Sequence, residues 1–434
     1  MRPILGRPSR STPAIGLLAL ALVVWTVVPA SADQAVPGTP TMTQFGMNAE
    51  HDQVVNTGAN AAFTADWTVN GPAIMDPAIV DGVLYGDSIG HPFEAVAFNP
   101  QTGRLLWKHP FPNAMMNSPI DDQGTLYYGL GNHHYTKPPV VSHPDIRGTG
   151  VNEIVALNAR TGVTQWVYAT TGEDMPTFVL YDHSLFVANG SDQVLDLAPK
   201  SGAVKKQLPI PSYVSMSSPV RVGDRMFFGG AFPYDMYAVN LRTMKVAWRT
   251  PTRSIAGLDD TPPVANANAV YTQTVYDDQS KIASELLAFN TKTGAVVWRT
   301  RLGFGTRPSF AAGPQFESGV PLLIDGTIYV GSSISKAVYA VDAKTGHILW
   351  TNGLNHQRIA QAPVLVEGQL LVGDDAGTLF AIDPHTGKVL RSMHFPGGSF
   401  MPGVPFVDGR TIFFSTRKGM LFARPLSKVL APTQ

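Results

Sequence analysis

The 434-residue sequence contains no cysteine and few charged residues. Without cysteine, the chain has no disulfide bond and no site for an N-terminal lipid anchor. Charged residues make up 15% of the chain and balance to a formal net charge of +0. This argues against a nucleic-acid partner, because proteins that bind nucleic acids carry a basic surface. The 44% share of hydrophobic residues indicates a folded chain rather than a disordered one.

Long hydrophobic runs are absent after residue 28, so the rest of the chain predicts no membrane-spanning helix. Residues 1–32 have the pattern of an export signal. Three arginines precede an apolar run at 14–28, and small residues at 30–32 provide a cleavage site. The sequence therefore predicts an exported protein, periplasmic or extracellular, in which 33–44 is a linker.

One eleven-residue pattern recurs along the chain. Clear copies are AFNPQTGRLLW from Ala97 and AVDAKTGHILW from Ala340. The Asp or Asn side chain can bond to nearby backbone N–H groups and the glycine adopts a left-handed conformation, so the pattern predicts a tight turn between two strands. Met244 occupies the glycine position of one copy. A degenerate copy, from Asp196 to Lys206, has Lys206 in the tryptophan position. Tryptophans in the repeat position are Trp107, Trp166, Trp248, Trp298 and Trp350.

A second repeated element begins at a proline and continues as two short strands joined by Asp-Gly or Glu-Gly, residues that suit a tight hairpin. Pro321-LLIDGTIYVG is a typical copy. The chain has eight such prolines, one more than the seven Thr-Gly elements. The prolines are at positions 77, 119, 176, 219, 263, 321, 363 and 405. The two elements together predict four strands in each unit. Four-stranded sheets repeated radially are the blades of a propeller.

The eighth unit, Pro405–Leu426, has three strands and no tryptophan strand. Ala61–Val69, which contains Trp67, provides the missing strand. The sequence thus predicts an all-β fold over residues 45–426: an eight-bladed β-propeller of four-stranded antiparallel blades, closed by an N-terminal strand. Closure of this kind removes open sheet edges. Residues 427–434 are then a C-terminal tail.

The element Ala-x-Asp/Asn-x-x-Thr-Gly-x-x-x-Trp, repeated around a ring, resembles the pyrroloquinoline-quinone-type (quinoprotein-like) β-propeller family. The resemblance covers nearly all of residues 45–426 and implies that each tryptophan docks between neighbouring blades. The family includes quinone-dependent alcohol and sugar dehydrogenases, a scaffold subunit of the outer-membrane protein assembly machine, and tetrathionate hydrolases. Because these proteins share one fold, the repeat does not select a function.

Candidate ligand-binding residues lie in the connections that precede each proline. In a propeller these connections cross one face and line the central funnel, where loops on a rigid scaffold often form sites. The connections carry polar side chains of both signs. The residues selected are Asp76, Asn117, Glu173, Asp174, Arg253, His356 and Arg358.

Asp259 and Asp260 are the candidate catalytic pair. Neighbouring carboxylates resist ionising together, which raises the pKa of one of them and suits it to acid/base chemistry. In the alternative interpretation, one aspartate caps a turn before Pro262-Pro263 and the other is solvated.

An insertion in the second blade, residues 131–151, contains His133, His134 and His143. Imidazole groups bind zinc and similar metals, so these histidines are a candidate metal site, with Asp145 beside them. In the alternative interpretation, the insertion binds a partner or covers the funnel.

The resemblance implies pyrroloquinoline quinone and calcium as cofactors. The family holds the quinone between a tryptophan floor and vicinal cysteines, but this chain has no cysteine and its tryptophans after residue 32 all fit blade positions. Oxygen ligands that suit calcium are available at Asn117, Glu173 and Asp260.

The leading expectation is an exported propeller that binds a protein partner or small-molecule ligand at its funnel face, without quinone. A hydrolase resembling tetrathionate hydrolase, with Asp259 or Asp260 as its acid/base, is the enzymatic alternative. A quinone-dependent dehydrogenase is the third hypothesis.

Overall fold

Almost every regular element in the computed structural model is a β-strand. The structure describes residues 54–55, 63–71, 73–74, 77–88, 90–115, 117–135, 146–279, 281–305, 319–359, 361–401, 403 and 405–432. Their strands form eight sheets, which makes the fold an eight-bladed propeller. The predicted fold class is confirmed.

The first half of the described chain supplies two single strands and four blades. The single strands are β1 (Val54–Val55) and β2 (Trp67–Asn70). Blade 1 comprises β3 (Ala78–Val80), β4 (Val83–Asp87), β5 (Glu94–Phe98) and β6 (Leu105–Pro110). Blade 2 comprises β7 (Ile120–Asp122), β8 (Thr125–Leu130), β9 (Glu153–Asn158) and β10 (Thr164–Ala169). Blade 3 comprises β11 (Val179–Tyr181), β12 (Ser184–Asn189), β13 (Gln193–Leu197) and β14 (Val204–Pro209). Blade 4 comprises β15 (Val220–Val222), β16 (Arg225–Gly229), β17 (Asp235–Asn240) and β18 (Lys245–Pro251).

The second half supplies the other four blades and two short helices. Blade 5 comprises β19 (Ser254–Ala256), β20 (Val264–Ala265), β21 (Ala269–Asp278), β22 (Lys281–Asn290) and β23 (Val296–Gly305). Blade 6 comprises β24 (Leu322–Ile324), β25 (Thr327–Ser332), β26 (Ala337–Asp342) and β27 (Ile348–Asn352). Blade 7 comprises β28 (Val364–Val366), β29 (Gln369–Gly373), β30 (Thr378–Ile382) and β31 (Val389–His394). Blade 8 comprises β32 (Phe406–Asp408), β33 (Thr411–Ser415), β34 (Met420–Pro425) and β2. The helices are a 3-10 turn (Leu354–His356) and α1 (Leu426–Val429).

The ring closes through β2, as the sequence predicts. This strand pairs antiparallel with β34, and Trp67 lies opposite Ala423. Two blades depart from four strands. β1 pairs parallel with β28 at the free edge of blade 7, and blade 5 carries the additional strand β19 beside β21. Among the described residues, no helix is long and apolar enough to cross a membrane.

The predicted turn chemistry accounts for the hairpins. Asp81 and Gly82 both have positive φ, at 47° and 73°, the conformation that a two-residue hairpin requires. At the Thr-Gly turn, the Asn99 side chain accepts a hydrogen bond from the backbone N–H of Thr102 at 3.0 Å. Short polar residues and glycine at these two turns therefore fix the strand register of blade 1.

Each repeat tryptophan packs on the turn of the following blade. The indole N–H of Trp107 donates to the Ala159 carbonyl at 2.9 Å, and its ring covers Gly162. The same pairing of ring and glycine joins Trp67 with Gly103, Trp166 with Gly202, Trp248 with Gly294, Trp298 with Gly346, and Trp350 with Gly387. The inter-blade docking implied by the family resemblance is confirmed.

The seam between blades 3 and 4 is built differently. Lys206 occupies the tryptophan position there and donates to the Arg242 carbonyl at 3.2 Å. Met244 occupies the glycine position, keeps a positive φ of 51° and is buried. A lysine leaves room over the turn that an indole ring would fill, so a side chain is tolerated at residue 244.

The hydrophobic core lies in layers between adjacent blades. One layer packs Tyr127 and Ile154 of blade 2 against Leu185 of blade 3. Another layer, between blades 7 and 8, includes Leu426 and Val429 of α1. The predicted tail, residues 427–434, thus joins this packing through Val429 and Leu430, and Arg391 donates to the Leu430 carbonyl at 2.8 Å.

Candidate active site

Two kinds of loop share one face of the propeller. Successive strands of an antiparallel blade alternate in direction, so the connection into a blade and the loop between its second and third strands emerge on the same side. The insertion between β8 and β9 is a loop of the second kind. Its described residues therefore lie on the face that carries the selected connections.

The guanidinium of Arg147, from this insertion, lies among three carboxyl groups. Its Nε is 2.9 Å from Oε1 of Glu173, and its Nη1 is 3.4 Å from Oδ2 of Asp259 and 3.7 Å from Oδ1 of Asp260. The structure thus brings together the candidate catalytic pair and one predicted ligand-binding residue around a cation. We call these four residues the Arg147 cluster.

Backbone hydrogen bonds fix one side of the cluster. The Glu173 N–H donates to the Arg147 carbonyl at 2.8 Å, and the Arg147 N–H donates to the Gly190 carbonyl at 3.1 Å. Gly190 returns a bond to the Glu173 carbonyl at 2.8 Å. A Cβ at residue 190 would lie 2.6 Å from the Arg147 carbonyl oxygen, so glycine is needed for this close approach.

Serine and threonine side chains fix the other side. The Ser217 N–H donates to the Asp259 carbonyl at 2.7 Å, and its hydroxyl donates to the Thr261 carbonyl at 3.0 Å. The Thr261 hydroxyl donates to the Gly257 carbonyl at 2.6 Å. These bonds hold residues 257–261 as a closed turn, which sets the direction of both aspartates.

Burial shifts the proton affinity of the cluster. The Glu173 side chain is 0% exposed and that of Asp259 is 5% exposed. Burial raises the pKa of Glu173 to about 8, although Arg147 opposes the rise. Burial and the neighbouring Asp260 hold the pKa of Asp259 well above its usual range. These two carboxyl groups therefore retain protons at pH values where an exposed carboxyl has ionised.

The charge of Arg147 is stabilised by the same neighbours. Burial disfavours its charge, but Glu173, Asp260 and Asp259 outweigh that effect and raise the pKa of the guanidinium. The cluster therefore combines a permanent cation with carboxyl groups that exchange protons. Such a combination can bind an anionic group and transfer a proton beside it.

Tyrosines form a wall next to Arg147. The guanidinium lies 5.6 Å from the centroid of the Tyr213 ring, and the Tyr213 and Tyr135 hydroxyls are 2.7 Å apart. Burial raises the pKa of Tyr135, Tyr213 and Tyr234. These phenols stay neutral, so they can donate hydrogen bonds without adding negative charge.

Asp174 and Asn117 are buried but lie outside the cluster. The Asp174 carboxyl accepts hydrogen bonds from Thr170 and Asn189, and burial raises its pKa to about 7. The Asn117 side chain accepts from the Gly129 N–H at 3.3 Å. Both residues fasten a connection to a neighbouring strand.

Arg253 and Arg358 each have their own acidic partner. Arg253 lies 2.7 Å from Glu285 and 3.7 Å from the Tyr276 ring centroid. Arg358 lies 2.5 Å from Asp375. His356 is exposed at the end of the 3-10 turn. Asp76 is outside the described residues.

The candidate metal ligands are described only in part. His133 and His134 are exposed, with ring centroids 4.3 Å apart. Burial of the ring, His134 and Arg147 lower the pKa of His133. His143 and Asp145 are outside the described residues, and within them no three acidic or histidine side chains are grouped to hold a metal ion. The metal site stays a prediction.

The described residues do not fit the family's way of holding a quinone. All six described tryptophans cover turn glycines and donate their indole N–H to turn carbonyls, and the chain has no cysteine. Of the three oxygen-bearing residues that suit calcium, Glu173 and Asp260 instead share the guanidinium of Arg147.

The sequence patterns do not predict that Arg147, Tyr135, Tyr213 and Tyr234 belong to the site. They lie in the inserted loop, in a connection and in the loop between β16 and β17, and no repeated residue marks them. The shared loop face is the available signal: it predicts that a charged insertion and the acidic connections meet.

Comparison with known proteins agrees with the repeat pattern. A family model described as outer membrane protein assembly factor BamB matches residues 64–300 and 283–427. The tetrathionate hydrolase of Acidithiobacillus ferrooxidans is 28% identical over 373 residues, which cover 82% of this chain and 73% of that protein.

Two solved structures share the fold. One is BamB from Moraxella catarrhalis, with a TM-score of 0.59, 16% identity, and coverage of 83% of this chain and 98% of that one. The other is the quinohemoprotein alcohol dehydrogenase from Comamonas testosteroni, with a TM-score of 0.62, 13% identity, and coverage of 91% and 82%. The chain therefore belongs to the quinoprotein-like β-propeller family that the assembly factor BamB represents.

Proposed function

We propose that this protein is an exported hydrolase that cleaves an anionic sulfur-chain substrate such as tetrathionate, with Asp259 and Asp260 as its acid/base groups and without quinone. The observation that carries the proposal is the Arg147 cluster, which places both predicted aspartates beside a buried cation. The similarity to a tetrathionate hydrolase over 82% of the chain supports it.

The cluster has the parts that hydrolysis needs. A water oxygen bonds to a sulfur atom of the substrate, and its proton passes to a carboxylate. The sulfur–sulfur bond breaks, and its electron pair leaves on the departing sulfur anion. A protonated carboxyl, or the Arg147 guanidinium, stabilises that anion.

The two aspartates differ in their surroundings, which suggests separate roles. Asp259 is 5% exposed and holds its proton strongly, so it is the acid. Asp260 is 26% exposed and is the carboxylate that water and substrate reach more readily. Two carboxyl groups that lie close together in different surroundings are typical of acid/base pairs.

The test is tetrathionate turnover by the purified protein, measured as released thiosulfate. We expect Asp259→Asn and Asp260→Asn each to lower kcat by about 100-fold or more, the usual contribution of acid/base catalysis. Asp375→Asn is the matched control, since it removes a carboxylate beside Arg358 on the same face. A wild type without turnover, or aspartate variants that keep full activity, would refute the proposal.

Protein binding is the second candidate function, and one observation favours it. Large apolar side chains are exposed between the Thr-Gly turn and the tryptophan position, including Val163, Val297 and Leu349 at 63%, 53% and 56%. They recur on neighbouring blades, as a docking surface would. If this role holds, Val163→Lys with Leu349→Lys loses co-purifying proteins that Asp260→Asn retains.

A further inference from the structure

The net charge of the Arg147 cluster depends on its protonation. Three carboxyl groups lie within 3.7 Å of one guanidinium. With every carboxyl ionised, the four groups sum to −2, and with Glu173 and Asp259 protonated they sum to 0. The cluster therefore repels anions in the first state, whereas in the second the guanidinium is free to attract one.

Burial keeps these charges from being screened. The Arg147 side chain is 11% exposed and the Glu173 side chain is 0% exposed. Charges in such surroundings interact more strongly than they do in water. Each proton gained or lost therefore has a large effect on an anion at this position.

Glu173 is the group best suited to control the change. Both of its carboxyl oxygens are buried, and the Ser215 hydroxyl faces them. Its ionised form is stabilised by the ion pair with Arg147 and, to a smaller extent, by Ser215. Burial raises its pKa to about 8, so its proton is lost as the pH rises through that value.

Other titratable groups around Glu173 do not oppose this change. The groups that surround it and Arg147 are Asp174, Asp259, Asp260, Tyr135, Tyr213, Tyr234 and His133. The tyrosines have raised pKa values and stay neutral. Each carboxyl that ionises adds a negative charge to the cluster, in the same direction as Glu173. His133 gains positive charge on acidification, in the same direction.

We propose that the Arg147 cluster is an acid-gated anion site: Arg147 binds the anionic end of the substrate while Glu173 and Asp259 carry protons, and releases it when they ionise. This inference rests on the proposed function for its substrate class. The ligand chemistry it requires is a sulfonate-like or sulfate-like oxyanion.

The experiment measures binding rather than turnover, with thiosulfate and sulfate as probes in calorimetric titrations of the full chain at constant ionic strength. We expect wild-type affinity for thiosulfate to fall by about tenfold or more between about pH 5 and pH 9, since one proton linked to binding changes affinity tenfold per pH unit. Arg147→Gln should abolish binding at both pH values.

Glu173→Gln is the decisive variant because its amide mimics the protonated carboxyl. It should bind thiosulfate about tenfold more tightly than the wild type at about pH 9, with a flatter pH profile. Asp259→Asn is a second neutral mimic in case the first variant does not fold, and Asp375→Asn should keep the wild-type profile.

Affinity that does not depend on pH, or an unchanged profile in Glu173→Gln, would overturn the gating, as would the absence of thiosulfate and sulfate binding at every pH. Failure of the hydrolase proposal gives a different result: acid-dependent thiosulfate binding without tetrathionate turnover. The two hypotheses therefore fail independently.

Discussion

Trp107 covers Gly162 so closely that a Cβ added to the glycine would lie 2.7 Å from Cε3 of the indole ring. Gly162 also has a positive φ of 68°. Two separate physical demands, backbone conformation and space, thus require glycine at this turn. Their contributions can be separated by substitution.

Gly162→Ala should destabilise the protein by about 2–5 kcal/mol, because a left-handed backbone costs about 1–2 kcal/mol and overpacking adds about 1–3 kcal/mol. Gly223→Ala is the control, since Gly223 has a φ of 60° and nothing within 4 Å of its added Cβ. Urea unfolding should show the larger loss for Gly162→Ala. Equal losses would mean that the tryptophan contact is unimportant.

The Lys206–Met244 seam predicts a rescue. Lys206→Trp alone should destabilise, since Met244 has a side chain where the ring would pack. Adding Met244→Gly should recover that loss, with a coupling energy of about 1–3 kcal/mol in a double-mutant cycle. Additive effects of the two substitutions would contradict the compensation.

The pH dependence of stability follows from Glu173. Its pKa is raised from 4.5 to about 8 on folding, so the folded state binds the proton more tightly. The resulting stability is fully present below about pH 4.5 and is lost as the pH rises through about 8. Melting temperatures measured across this range should fall for the wild type and fall less for Glu173→Gln. Parallel profiles would show that another group is responsible.

Loss of the buried cation should be costly at about pH 9, where Glu173 has ionised. Arg147→Gln leaves Glu173 and Asp259 without a countercharge, and removing one partner of a buried ion pair costs about 3–5 kcal/mol. The loss should shrink at about pH 4, where the carboxyls are protonated and need no partner. Unfolding by urea at both pH values measures the difference. Arg358→Gln, which disrupts a more exposed pair, should cost about 1 kcal/mol or less.

The repeat made the fold predictable, because the glycine turn and its tryptophan are required by local conformation and by packing at six of the eight seams between blades. The ring closure followed from one missing strand, which Trp67 supplies. Such features depend on neighbours that are close in sequence or on the repeat period.

The site was only partly predictable. Glu173, Asp259 and Asp260 were recognised as acidic residues in connections, but their common partner, Arg147, comes from an insertion outside the repeat. Arg253 has the same loop environment and yet pairs with Glu285 in its own blade. The pairing of charged side chains depends on the paths of the loops, which the repeat does not determine.

The insertion of blade 2 also has a mechanical consequence. Through Arg147 it reaches Asp259, in the connection between blades 4 and 5, and so links parts of the ring on either side of the seam where Lys206 replaces tryptophan. On the opposite face, that seam is held without an indole ring over its turn. The ion pairs of Arg147 therefore connect blades across a seam that has no tryptophan contact, so a change that breaks them also weakens the junction between blades 3 and 4.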